Sequence, residues 1–162
     1  MDEIKLTYSE PLIREAIRLY WWKKIGFIFP VVLFLLIVLM VYHIALGDRT
    51  WIVGVLGVTI FMGICIMVAT YYVHLHHSLK RLKKMKTPKA TIKLGEELFC
   101  VKSDIGSSEI AWSLITQLWR FEKVWLLFFS EGEFMTLPIE EMPEKSKSFI
   151  VSKIKTNGAK IV

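Results

Sequence analysis

The sequence predicts a mixed α and β membrane protein. It should contain a transmembrane helical hairpin and a small cytoplasmic antiparallel β-sheet domain that ends in a helix. Residues 25–73 form two long apolar runs that are separated by the four residues 47–50. The excess of basic residues, a net charge of +6, lies mostly beside these runs. Residues 89–162 then change to the two-residue alternation that is typical of strands.

The composition supports one small soluble domain attached to a membrane anchor. A hydrophobic fraction of 54% is high for a soluble protein of 162 residues. About 90 residues follow the apolar runs, enough for one domain but not for two. Cys65 lies in an apolar run and Cys100 in the soluble part, so we expect free thiols and a reducing compartment around Cys100.

Residues 1–24 are predicted to form a strand and an amphipathic helix. Ile4, Leu6 and Tyr8 alternate with polar residues, as in a short strand. Ser9 then offers a helix N-cap, and apolar residues recur with helical spacing from Leu12 to Tyr20.

The end of this helix is typical of a headgroup region. It carries Trp21, Trp22, Lys23 and Lys24, whose indole and ammonium groups can reach water from a lipid interface. The alternative is a secretory signal. It is disfavoured because the apolar run begins late, is long and lacks a small-residue cleavage site.

Residues 25–46 and 51–73 are the predicted spans. Neither contains Asp, Glu, Lys or Arg, and a helix of 22 residues is about 33 Å long, close to the hydrocarbon thickness. Because the connection is so short, the two spans should form an antiparallel hairpin.

The second span carries small residues on two faces. Gly54, Gly57, Cys65 and Ala69 share one side of a helical projection, and Thr59, Gly63 and Thr70 lie roughly opposite. Small faces let helix backbones approach in lipid, so we expect one face to receive the first span. The other face either contacts a second copy or another membrane protein, or faces lipid.

Residues 74–88 form a basic link that orients the hairpin. Its cations outnumber the single Arg49 of the connecting turn, so both termini should be cytoplasmic. We also expect the cations to attract anionic lipid headgroups. The cations concerned are Lys80, Arg81, Lys83, Lys84 and Lys86.

Two other functions of this basic link are less well supported. A nucleic-acid partner is not expected, because no aromatic residues are interleaved with the cations. His74 and His77 have metal-ligand spacing, but no Cys, Asp or Glu lies beside them, so an interfacial role is the favoured interpretation and no metal or cofactor is predicted.

Residues 89–162 are predicted to form about six short antiparallel strands and a C-terminal helix after Pro143. The run 124–130 is apolar on both faces and must be covered on both. The C-terminal helix should cover one face and the N-terminal helix the other, and the N-terminal strand could join the sheet. The expected core residues are Ile110, Trp112, Ile115, Leu126, Phe128, Phe149, Ile150 and Ile154.

The order of these parts resembles the bacterial YcxB-like family. The resemblance rests on Ile110, Trp112 and Ile115, on the paired strands 117–121 and 124–130, and on Leu137-Pro138. It implies a C-terminal domain similar to pleckstrin-homology (PH) and GRAM-type domains. It implies no catalytic residues.

The sequence contains none of the nucleophile, phosphate-loop or zinc motifs that identify common enzymes. We therefore expect a non-enzymatic membrane protein whose PH-like domain binds a protein or anionic lipid. Two alternatives stay open: an immunity protein against a toxin or bacteriocin, and an accessory subunit of a larger membrane enzyme or transporter.

Overall fold

The structure is a computed structural model that describes residues 3–130 and 133–162. The chain divides into two compact units. The first combines Met1–Ala16 with Ser78–Val162, and the second is Ile17–His77. The first unit therefore contains residues from both ends of the chain.

The elements follow the predicted order with one addition, a last short strand. The strands and helices are β1 (Glu3–Thr7), α1 (Glu10–Ile25), α2 (Ile28–Ala45), α3 (Trp51–Lys84), β2 (Lys89–Leu94), β3 (Leu98–Ser103), β4 (Gly106–Ala111), the 3₁₀ turn Trp112–Leu114, β5 (Gln117–Arg120), β6 (Val124–Ser130), β7 (Glu133–Pro138), α4 (Glu144–Thr156) and β8 (Lys160–Ile161). The turn predicted at Glu131-Gly132 lies outside the described residues.

The boundaries of the first apolar helix differ from the prediction. Gly26 has a φ of +68°, which separates α1 from α2, so the helix begins at Ile28 rather than at residue 25. Pro30 consequently lies in the first turn of α2, where its missing N–H costs no helical hydrogen bond.

The eight strands in the described residues form two sheets rather than one. The first has the order β1-β2-β3-β4 and the second β7-β6-β5-β8, and only the pairing of β5 with β8 is parallel. The chain leaves the first sheet at the 3₁₀ turn, between β4 and β5. We did not predict β8, because two residues are too short for an alternating pattern to be visible.

The N-terminal strand is an integral part of the first sheet. Leu6 is opposite Ala90 and Ile4 is opposite Ile92, so β1 pairs with β2 across the whole apolar hairpin. Ser9 caps α1, because its Oγ accepts the backbone N–H of Leu12 at 3.3 Å.

A single core cluster joins the two sheets to α4. Ile4 and Ile92 from the first sheet, Leu118 and Leu127 from the second and Ile150 from α4 all belong to it. The apolar side chains of the second sheet that belong to this cluster must be shielded from water, and the first sheet and α4 shield them. Coverage of the opposite face of β6 by α1 stays a prediction.

Six of the eight predicted core residues are buried, but Leu126 and Phe128 lie outside the core cluster. Ile110 and Phe149 are half-buried at the margin of the cluster, and the other six are buried: Trp112, Ile115, Leu126, Phe128, Ile150 and Ile154. Trp112 stacks on Phe99 with ring centroids 4.6 Å apart, and its indole N–H donates to the carbonyl of Gly95 at 3.0 Å. Trp112 therefore anchors the segment that connects the two sheets.

Tyr8 connects the two sheets and makes the stability of the domain depend on alkaline pH. Its hydroxyl donates to the carbonyl of Thr136 at 3.0 Å, and burial raises the pKa of Tyr8 to about 12. Between pH 10 and 12 the unfolded chain loses this proton and the folded chain keeps it, so stability falls as pH rises, by about 2–3 kcal/mol in total.

We expect Tyr8→Phe to remove this part of the pH dependence. Urea unfolding of both proteins at pH 9, 10, 11 and 12 would give the free energy of unfolding of each. Because the other titrating groups are common to both proteins, the difference between the two isolates the contribution of Tyr8. At pH 9 the variant should be about 1 kcal/mol less stable, because one hydrogen bond is lost. A stability difference between the two proteins that is unchanged from pH 9 to pH 12 would contradict the prediction.

Candidate membrane interface and ligand groove

The second unit contains the two helices that are long and apolar enough to span a membrane. These are α2, with 18 residues, and α3, with 34. Their apolar side chains are largely exposed, among them Phe34 at 63% and Phe61 at 67%. Such exposure of large apolar side chains is typical of lipid-facing helices.

The two helices pack as an antiparallel hairpin through glycines of α3. A Cβ atom on Gly63 would lie 3.3 Å from Leu33 Cδ1, and one on Gly57 would lie 3.9 Å from Met40 Sδ. Ile60, one turn from each glycine, is buried at 7% exposure. The predicted use of small residues at this contact therefore applies to Gly57 and Gly63.

The contact with α2 includes one small residue from each of the two predicted faces. Gly57 and Gly63, which we placed on opposite faces, lie at the same contact with α2. The contact face is determined by which side chains of α2 approach, and residue size on α3 alone does not reveal this. The remaining small residues are exposed: Gly54, Thr59, Cys65, Ala69 and Thr70.

Gly63→Leu should loosen the hairpin, and Gly54→Leu provides a matched control. The new side chain at residue 63 meets Leu33, whereas nothing lies within 4 Å of a Cβ at residue 54. We expect a loss of about 1–3 kcal/mol of helix–helix association for the first and little change for the second. Energy transfer between dyes on the two helices, followed during detergent titration, would measure the difference; equal effects would contradict it.

The connection between the spans is held by a polar cluster. The Thr50 backbone N–H donates to Asp48 Oδ1 at 2.9 Å, and His43 Nδ1 lies 2.8 Å from Asp48 Oδ2. These contacts, the backbone hydrogen bond first, lower the pKa of Asp48. His43 therefore pairs with an acid at the end of the hairpin.

The aromatic end of α1 contacts the C-terminal part of the second span. Trp21 and Tyr71 have ring centroids 5.7 Å apart, and Tyr20 and His74 have theirs 5.5 Å apart. Trp22 is 57% exposed, as expected at a lipid interface. Lys23 and Lys24 are exposed, and desolvation lowers the pKa of Lys23.

His74 thus has an aromatic partner, while His76 and His77 are exposed. In the part of the chain that the structure describes, no group of three or more His, Cys, Asp or Glu side chains could hold a metal. The interfacial interpretation of these histidines stays a prediction.

The basic link is helical as far as Lys84. A helix of 34 residues is about 51 Å long, which exceeds the hydrocarbon thickness by roughly 20 Å. Lys80 lies seven residues, or about 10 Å, beyond Val73 along the helix axis. The first cations of the link are therefore at headgroup depth when residues 51–73 span the hydrocarbon.

All five predicted headgroup cations of the link are exposed: Lys80, Arg81, Lys83, Lys84 and Lys86. Within residues 3–130 and 133–162 none of them forms an ion pair. The link ends where the Thr87 backbone N–H donates to Asp104 Oδ2 at 2.9 Å. The exposed cations thus lie immediately before the first residue of β2.

A separate groove of about 820 Å³ lies between α4 and the second sheet. The Arg120 guanidinium lies 5.2 Å from the ring centre of Trp125. Lys147 pairs with Glu144 at 2.8 Å, and Glu122 also lines the groove. The charges that line the groove are therefore mixed, whereas the basic link, residues 74–88, contains no acid.

Comparison with known families matches residues 94–153 to the YcxB-like protein family. The resemblance predicted from the sequence is thereby confirmed over these residues. Neither the curated proteins nor the solved structures yield a match to the chain. The matched segment runs from the end of β2 into α4, so it includes β3 and β4 of the first sheet and β5, β6 and β7 of the second.

Proposed function

From a YcxB-like C-terminal region joined to two apolar helices, we propose a non-enzymatic integral membrane protein. Its function is to present a PH-like domain at the cytoplasmic membrane face, where the basic link binds anionic lipid headgroups. A protein partner of the domain is a further part of the proposal.

The pairing of β1 with β2 carries this proposal. Two apolar helices lie between these strands, yet Glu3–Thr7 and Lys89–Lys93 are in register in one sheet. An even number of spans returns the chain to the side on which it started. The helical hairpin is thus an insertion into the sheet domain, and the cations of the link lie where the chain re-enters that domain.

The two sheets around one core, closed by α4, support the PH-like assignment. The positive-inside rule supports the cytoplasmic side, because the link carries more cations than the connection at residues 46–50. The immunity and accessory-subunit alternatives stay predictions, and no contact described above favours either.

Topology is tested by thiol labelling of the full chain in cells. In a Cys65→Ala background, Cys100 should react only with a membrane-permeant maleimide. Arg49→Cys, which is exposed at the connection between the spans, is the matched control in a chain also lacking Cys100. It should react with an impermeant reagent from outside. Labelling of Cys100 from outside would overturn the orientation.

Lipid selectivity is tested on the full chain in mild detergent. The protein is mixed with equal amounts of phosphatidylglycerol and phosphatidylethanolamine, and bound lipids are counted by native mass spectrometry. We expect phosphatidylglycerol to be enriched at least several-fold, with the enrichment lost as salt is raised. Equal binding of both lipids would remove the lipid part of the proposal.

A further inference from the structure

The strand β4 forms an open edge of the first sheet. Residues Gly106–Glu109 are exposed, and Ile110 and Ala111 are half-buried. Because β4 is the last strand in the order β1-β2-β3-β4, its outer backbone groups have no partner among the described strands. Such an edge is a template for a further strand.

The register identifies which backbone groups point outward. The Trp112 backbone N–H donates to Glu97 O at 3.1 Å, and hydrogen-bonded pairs recur every second residue in an antiparallel ladder. Gly106, Ser108 and Ile110 are thus bonded to β3. The N–H and C=O groups of Ser107, Glu109 and Ala111 point away from it.

The other three sheet edges carry features that prevent strand addition. Within β1, Lys5 is charged and Glu3 lies 3.8 Å from Lys93. The β7 edge contains Pro138 and faces an irregular register at Phe128/Ser130. The β8 edge has only two residues. Charge, proline, bulges and shortness are the usual protections of sheet edges.

By contrast, β4 has six residues, no proline, no irregular register and a single charge, Glu109. Among the described sheet edges, β4 is therefore the one most open to the addition of a further strand.

We propose that β4 pairs antiparallel with β4 of a second copy of this chain, with the two-fold axis at Ser108. In this register Ser107 is opposite Glu109 of the second copy, and each exchanges backbone hydrogen bonds with the other. Ser108 is opposite its own equivalent, and the overlap covers residues 105–111. The contact is isologous, as closed two-fold dimers require.

Charge favours this register over the one whose two-fold axis lies at Glu109. Centring the axis on Glu109 would place that carboxylate opposite its own copy, and directly opposed like charges destabilise a sheet. Lys102 of β3 is paired with Ser107 of β4. With the axis at Ser108, Ser107 is in turn paired with Glu109 of the second copy, so the three side chains lie in one row across the strands. Opposite charges then lie two strand spacings apart, about 10 Å, on one face.

The test is disulfide cross-linking of the full chain in isolated membranes, with Cys65 and Cys100 replaced by alanine. Directly opposed residues of a non-hydrogen-bonded pair have Cα atoms about 4.5 Å apart, within the range for a disulfide. Ser108→Cys should therefore form a covalent dimer within minutes of mild oxidation. Lys5→Cys, exposed on the opposite edge of the same sheet, is the control and should stay monomeric.

Two further variants separate strand pairing from chance collision. Ser107→Glu places a carboxylate opposite Glu109 of the second copy and should reduce the Ser108→Cys cross-link at least fivefold. Adding Glu109→Lys should restore it, because the opposed pair is then oppositely charged. All of these positions are exposed, so the variants should fold, which protease resistance of the domain would verify.

Equal cross-linking at residues 5 and 108 would overturn the proposal, and so would a cross-link that Ser107→Glu leaves unchanged. These readouts are independent of lipid selectivity, so failure of this proposal is distinguishable from failure of the lipid-binding proposal.

Discussion

Replacing Trp112 by alanine is expected to unfold the sheet domain while leaving the apolar hairpin in the membrane. The side chain is 1% exposed and stacks on Phe99, and its N–H donates to the carbonyl of Gly95. Removing a buried aromatic side chain costs about 3–5 kcal/mol. The net stability of a small domain is only about 5–15 kcal/mol, so the loss is a large part of it.

Two companion variants assign the loss to packing and to the hydrogen bond. Trp112→Phe keeps an aromatic ring but leaves the Gly95 carbonyl without this donor, and should cost about 1–3 kcal/mol. Leu114→Ala, at a side chain that is 58% exposed in the same 3₁₀ turn, should change stability by less than about 0.5 kcal/mol.

Pulse proteolysis across a urea series, performed on the full chain in detergent, measures these differences in the sheet domain. The hairpin provides an internal reference, because its helices should remain protected by the micelle. A Trp112→Ala protein with a midpoint equal to that of Leu114→Ala would show that Trp112 is not the central packing residue of this domain.

Neutralising the basic link is expected to abolish the preference for anionic lipid. The variant changes the five exposed link cations to glutamine, at Lys80, Arg81, Lys83, Lys84 and Lys86. Each cation near an anionic surface contributes about 1 kcal/mol, and the contribution falls within a Debye length of about 10 Å. We therefore expect the several-fold enrichment of phosphatidylglycerol over phosphatidylethanolamine to be lost in this variant.

The matched control removes the same charge from exposed cations elsewhere in the sheet domain. These are Lys102, Lys123, Lys145, Lys155 and Lys160. If lipid binding depends on the position of the link cations, the control keeps the preference for phosphatidylglycerol, measured by native mass spectrometry. If it depends only on net charge, both variants lose it equally, and the link has no specific role.

Several features of the fold were predictable because local chemistry dictates them. Two apolar runs without charges require a nonpolar environment, so α2 and α3 follow from composition alone. The alternation at Ile4 and Leu6 predicts β1, and Ser9 predicts the start of α1. The core position of Trp112 follows from a large apolar side chain that ends a strand pattern.

Other features were not predictable because they depend on which segments meet. The short strand β8 exists because α4 ends at Thr156 and returns the chain beside β5. Gly57 and Gly63 share a contact because Met40 and Leu33 of α2 approach them there. The outward groups of β4 are defined only by its register with β3.

The sequence by itself determined that this protein has an apolar hairpin followed by a basic link and a strand-rich domain. Hydropathy, charge and periodicity are properties of neighbouring residues, so they are readable without the fold. Only the tertiary structure decided that the domain has two sheets, that β1 pairs with β2 across the hairpin, and that β4 is left open. These are pairings between distant segments, and their free energy depends on long-range contacts that no local pattern encodes.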